Sequence, residues 1–264
     1  SITNNEVTNA IKAIYFDHPE FFWLNTNYVY KYTNDGNVVQ IILSFNNTIN
    51  DIDNAKNNFE ASANSIIKGT LNLSTNYEKE KYVHDQLIKL ITYNESASIN
   101  QSAYSALVLH QSVCAGYSRA FQYIMNKLGI PTFYVSGYSN GDHAWNIVKL
   151  DDGFYNVDLT WDDNKNIMYD YFNVPDSTFS NTHTRNDLSV NLPECNATTY
   201  VYKEEKQNNN IIDNIIDLFK DNTDYEVTNY NNEENIDNTQ NEAEEKQTPN
   251  KKELNIRKKD EISE

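Results

Sequence analysis

The stretch from Cys114 to Trp161 constrains the fold more than any other part of the chain. Tyr117, Ala120, Phe121, Ile124 and Leu128 recur at the spacing of a helix buried along one stripe. Gly129 followed by Pro131 closes that helix. Three strand-like runs come next, TFYVSGY, HAWNIVKL and FYNVDLTW, the last two joined by Asp151-Asp152-Gly153. One buried helix feeding a strand meander predicts an α+β fold with segregated layers, in which the helix packs on an antiparallel sheet, rather than alternating βαβ units.

Upstream, EVTNAIKAIYFD reads as a helix that stops near Asp17, because Pro19 disfavours helical backbone at His18. Two β-rich runs around Asn34-Asp35-Gly36-Asn37 signal a hairpin. Residues 51 to 68 read as a helix stopped by Gly69, residues 75 to 93 as another, and ATTYVYK (197 to 203) as a further strand. All three Trp and all seven Gly precede residue 162, whereas residues 201 to 264 hold four aromatics, Tyr202, Phe219, Tyr225 and Tyr230. This division suggests an N-terminal α/β region with a hairpin over 1–70, a core over 71–203, and an acidic Asn/Glu-rich tail over 204–264 that is largely disordered. Within the tail, NIIDNIIDLFK has the pattern of a short amphipathic helix, for a partner or for its own domain.

The net charge of −17 divides into −9 for residues 1–200 and −8 for the rest. Nucleic acid and anionic membranes both call for clustered Lys and Arg, so neither is an expected partner. No window resembles a membrane-spanning helix or a signal peptide. Two cysteines without a C-x-x-C spacing make neither a zinc cluster nor a redox pair, and no metal or cofactor is expected. A Cys114–Cys195 disulfide stays open at this level.

Cys114 stands where the buried helix begins. A thiol in a first helical turn faces unpaired backbone N–H groups and the positive end of the helix dipole, which favour thiolate. A small buried apolar residue is the plain alternative. His143 and Asp158 shift the balance. A two-residue loop at Asp151-Asp152 pairs Leu150 with Gly153, which sets Asp158 opposite Trp145 and His143 opposite Thr160. His143 and Asp158 then share a face as diagonal neighbours about 7–8 Å apart by backbone; a bulge at Gly153 would send them to opposite faces. If Cys114 abuts that face, the set supplies a nucleophile, a base and a carboxylate that orients the ring.

The strings VCAGYSRAF, GDHAWNIVKL and YNVDLTWDD, supported by EKEKYVHDQL, SAYSAL and YDYFNVPDSTFSNTHTR, resemble the transglutaminase-like superfamily, and its bacterial members in particular, over residues 75 to 187. The resemblance implies a transglutaminase-like core of the papain-like cysteine-protease superfamily, with Cys114 as nucleophile, His143 as base and Asp158 as orienting acid. It implies acyl transfer on peptide or isopeptide amides through a thioester, ending in cross-linking or in hydrolysis. Its substrates would be proteins or peptides, cell-wall peptides among them, in a secreted or cell-surface setting. The hairpin here reads L-D-D-G-F where relatives commonly have L-D-G-K-W. A papain-like protease in the narrow sense fits less well, because its histidine lies much farther downstream than the 29 residues separating Cys114 from His143. The alternative from another class is a non-catalytic cell-surface binding module that keeps the fold.

Remaining candidates have plainer readings. The Cys114 backbone N–H is one natural oxyanion donor, with Tyr104 or Gln111 as a second, and Trp145 belongs to core or cleft wall. His84 and His110 read as packing or surface residues, His18 and His183 as loop residues, Asp162 and Asp163 as turn caps, and Cys195 as incidental.

Overall fold

The structure is a computed structural model that describes residues 2–203. Readings that fall on 204–264, the disordered tail and its short helix, lie outside the described residues. Helix α1 (Asn4–Asp17) begins with a capping box, Thr3 and Glu6 each satisfying the other's backbone N–H, and ends at His18 just before Pro19. Strands β1 (Leu24–Tyr32) and β2 (Val38–Phe45) form a two-stranded antiparallel hairpin, with Gly36 at φ 82° in its turn. Helix α2 (Ile52–Lys68) starts on the Asp51 carboxylate, and α3 (Asn76–Leu90) on a second capping box, Thr75 with Glu78. The third helix stops earlier than its pattern suggests: Ile91 turns extended, and β3 (Thr92–Tyr93) pairs in parallel with β4 (Gln111–Ser112).

Helix α4 (Cys114–Lys127) follows directly, with Gly129 at φ 75° beyond its end. Next come β5 (Thr132–Tyr138), β6 (Asp142–Leu150) and β7 (Gly153–Val157), a single turn α5 (Leu159–Asp162), a second short turn α6 (Asp176–Phe179) and the two-residue β8 (Thr184–Arg185). The main sheet is antiparallel in the order β7-β6-β5-β8. Leu150 pairs with Gly153, and the ladder runs without a slip to Asn146 and Val157. Asp151-Asp152 is therefore the two-residue loop, unbulged. Two strand readings need correction. FYNVDLTW is extended only to Val157, because the Asp158 side chain caps a helical turn. Residues 197–203 form no strand: Tyr200 stacks on Tyr77 at 5.4 Å and its backbone N–H donates to the Tyr155 hydroxyl, which ties the segment across the core instead of into the sheet.

The sheet is covered on both faces, which explains why β6 is almost wholly buried. Val148, Leu150, Tyr155 and Val157 pack with α2, α3 and α4 through Phe59, Leu87, Tyr117, Phe121 and Ile124. Phe121 and Ile124 are fully buried, each contributing about 1.5–3 kcal/mol of apolar burial. On the other face Val135, Trp145 and Ile147 pack under Val174, Phe179 and Cys195. Polar side chains stitch the layers. Asn146 donates to the Ser118 and Phe133 carbonyls, and Asn156 accepts from the Trp145 indole while donating to Val174 O and Asp176. No helix among the described residues is long and apolar enough to cross a membrane.

Candidate active site

Cys114 is the first residue of α4, and the residue before it, Val113, is extended and offers no side-chain oxygen to the helix start. The β3–β4 pairing fixes the entry into this turn. A loop at residues 99–102 then clamps it: the Asn100 carbonyl accepts from Val113 N at 3.1 Å and from the Ser112 hydroxyl. Gly116 is required by the close approach, since a Cβ there would lie 2.8 Å from Ser102 O and 2.9 Å from Asn100 O. Cys114 is 9% exposed and packs with Ala115, Tyr134 and Ala144.

His143 lies near the start of β6, on the side of the strand that also carries Trp145. Its Nε2 is 2.6 Å from Asp158 Oδ2. With that nitrogen engaged, Nδ1 is the ring atom left for the Cys114 thiol, whose side-chain hydrogen bond it shares. Burial works against a charged ring here, but the Asp158 carboxylate, by charge and by hydrogen bond, and then Cys114 outweigh it and raise His143 to about 10. Asp158 is buried, which alone would raise its pKa; the His143 charge and hydrogen bonds from His143, His183 and Thr160 overcome this and hold it well below the usual carboxylate range. Its two oxygens divide the work. Oδ1 accepts from Thr160 N, Thr160 Oγ1 and Trp161 N, capping α5, while Oδ2 faces the imidazoles.

His183 lies in a loop, as its sequence setting suggests, but its part in the site was missed: it is buried, and its Nε2 is 3.1 Å from the same Asp158 Oδ2. It stacks on Phe179 at 4.0 Å and bonds the Thr182 hydroxyl through Nδ1. The signal was present in the segment DSTFSNTHTR, but only β8 pairing with β5 brings that segment back to the site. His143, Asp158 and His183 also place three ligand-type atoms within 4.8 Å of one another. In the structure both imidazoles are instead hydrogen-bonded to the shared Asp158 Oδ2.

The three lesser sequence candidates have other engagements. Trp145 is 1% exposed, sealed against Phe179 and His183, so it is core behind His143 and not a cleft wall. Tyr104 stacks on Phe22 at 4.7 Å, and exposed Gln111 accepts from the Asn94 amide at 2.9 Å. Asp162 is buried against His84, its Nε2 at 3.2 Å, and receives the Tyr171 N–H; Asp163 takes the Tyr117 hydroxyl at 2.7 Å. Both anchor the turn that follows Asp158. No disulfide joins Cys195 to Cys114. Burial and then the nearby Asp176 charge push the Cys195 thiol up to about 12.

Residues 63–159 match the family model described as the transglutaminase-like superfamily, a span that contains Cys114, His143 and Asp158 but not His183. No curated protein matches the chain significantly. Among solved structures, one titled as a TGase has 18% identity and a TM-score of 0.39 over 69% of this chain and 55% of its own. A candidate cysteine protease from Cytophaga hutchinsonii has 13% identity and a TM-score of 0.37 over 60% of this chain and 65% of its own. The chain thus spans less than two thirds of either structure's length. Over residues 63–159, the span that holds Cys114, His143 and Asp158, the chain is thus similar to the transglutaminase-like superfamily.

Proposed function

We propose that the protein is a thiol acyltransferase or peptidase acting on peptide or isopeptide amides. The observation that carries this reading is the His143 ring held between two partners, Asp158 at 2.6 Å on Nε2 and the Cys114 thiol on the other side. An imidazolium stabilised by a buried carboxylate keeps a neighbouring thiol in its thiolate form, the form that attacks carbonyl carbon. Cys114 sulfur adds to the amide carbon, the C–N bond breaks, and the His143 proton passes to the departing amine, leaving a thioester and a neutral imidazole. A second amine or water then adds to the thioester and yields its proton to His143 as sulfur leaves. The backbone N–H at Cys114, in the first turn of α4, is the donor assigned to the oxyanion in this reading. Family resemblance extends the proposal to a secreted or cell-surface setting with surface proteins or cell-wall peptides as substrates.

The test is a glutamine-containing peptide offered with and without a primary amine, followed by mass spectrometry, using the intact protein and Cys114→Ala. Amine incorporation identifies transfer, and deamidation or chain cleavage identifies hydrolysis. Neither product from any amide tried, together with ordinary thiol behaviour at Cys114, would reassign the chain to a binding module.

A further inference from the structure

Arg119 lies five positions after Cys114 on α4, about 7.5 Å along the helix axis. It is 3% exposed. Its guanidinium is sandwiched between the rings of Tyr15 and Tyr134, at 3.6 and 4.3 Å, and Nη1 donates to the Tyr15 carbonyl. Stacking uses the faces of the group and leaves its edge N–H groups for in-plane hydrogen bonds, yet Nε is buried with no acceptor. Lys12, Lys81, Lys127 and Arg185 each pair with a carboxylate. Among the described residues no carboxylate comes within ion-pair distance of Arg119. A guanidinium cannot shed its proton, so burial without a counter-charge is costly.

Arg119 lines a cleft of about 280 Å³ between the N-terminal segment and the loop at 99–102, whose walls include Tyr15, Phe22, Thr26, Asn100 and Ser102. Two contacts tie this cleft to the nucleophile. The Tyr134 ring lies against the guanidinium and also packs in the cluster with Cys114. The carbonyls of Asn100 and Ser102 press on the first turn of α4 at Gly116. We infer that this cleft is a substrate subsite for a carboxylate-bearing residue of the peptide, with Arg119 as the anchoring cation. Planar, bidentate pairing with a carboxylate is what a guanidinium with an unpaired edge N–H does best, and the volume suits one side chain, not a folded partner. The carboxylate belongs to an Asp or Glu side chain or to a free C-terminus. The inference rests on the acyl-transfer reading for its meaning, but binding requires no turnover.

The experiment uses the full chain carrying Cys114→Ser and fluorescence anisotropy with labelled hexapeptides that contain one central Gln. One arm compares a peptide bearing Asp with its Asn counterpart; the other compares a free C-terminal carboxylate with its amide. In one arm the acid should bind about tenfold or more tighter than its neutral counterpart, and that arm names the source. Arg119→Gln should erase the difference, and so should Thr26→Trp, which fills the cleft from an exposed wall position and leaves Arg119 itself in the chain. Equal binding of acid and neutral peptides in both arms overturns the inference, as does a preference that survives either variant in folded form. If Arg119→Gln does not fold, Thr26→Trp decides. Failure of the acyl-transfer reading alone has a separate signature: the acid preference persists while the protein with Cys114 intact turns over neither peptide.

Discussion

His143 and His183 meet on a single oxygen, Asp158 Oδ2, at 2.6 and 3.1 Å. A carboxylate fixed by one imidazole and by the α5 backbone cannot rotate away from the other, so His183 is a positioning residue for His143. His183→Phe should lower the iodoacetamide labelling rate of Cys114 at neutral pH by about tenfold, in line with loss of a hydrogen bond to a charged group. His183→Gln, which can still donate, should recover much of it. Equal loss in both variants would show that the ring serves only to pack.

The pH dependence of Cys114 follows from His143. Its pKa is raised from 6.5 to about 10 in the folded chain, so the stabilisation of imidazolium is fully present below 6.5 and is lost as pH rises through 10. Labelling of Cys114 should therefore stay fast well below the ordinary thiol pKa of about 8.5. His143→Ala should return the profile to that ordinary value, measured by mass spectrometry across pH 5 to 10. Turnover should decline on its alkaline side as His143 loses its proton.

Glu80 offers a test of stability alone. It is fully buried on α3, accepts from Asn173 at 3.1 Å, and burial raises it from 4.5 to about 8. A raised acid favours folding most when protonated, so its contribution is complete below about 4.5 and lost as pH rises through 8. Glu80→Gln, which mimics the neutral acid, should flatten the fall of Tm between pH 6 and 9, read by thermal denaturation. An unchanged slope would place the alkaline sensitivity elsewhere.

Gly116→Ala places a methyl carbon against two backbone carbonyls and the Ser112 hydroxyl. The hydroxyl can turn away, but the carbonyls of Asn100 and Ser102 cannot do so without moving their loop. A loss of about 1–3 kcal/mol in urea unfolding is expected, with slower labelling of Cys114 because the turn bearing it must shift.

Much of this arrangement was legible in the amino acids. The helix at Cys114, the loop at Asp151-Asp152 and the shared face of His143 and Asp158 all follow from periodicity and pairing parity, which are local properties. Asp158 was legible in place but not in manner. Its carboxylate does two jobs, and the capping one ends the strand at Val157. The segment holding His183 was legible but its contact with Asp158 was not, and nothing marked Arg119. Each acquires its surroundings from distant segments, His183 from the return of β8 to β5 and Arg119 from Tyr15 near the end of α1 and Tyr134 on β5, and no spacing rule encodes such closures.

The two thiols of this chain differ so widely in setting that chemistry can tell them apart. Cys195 is sealed, with its proton held to about pH 12, whereas Cys114 touches solvent beside an imidazolium. A stoichiometric thiol reagent applied to the native protein at neutral pH should therefore titrate Cys114 alone: the moles consumed per mole of chain count the molecules in which the Cys114–His143 pair is intact, before a substrate is known.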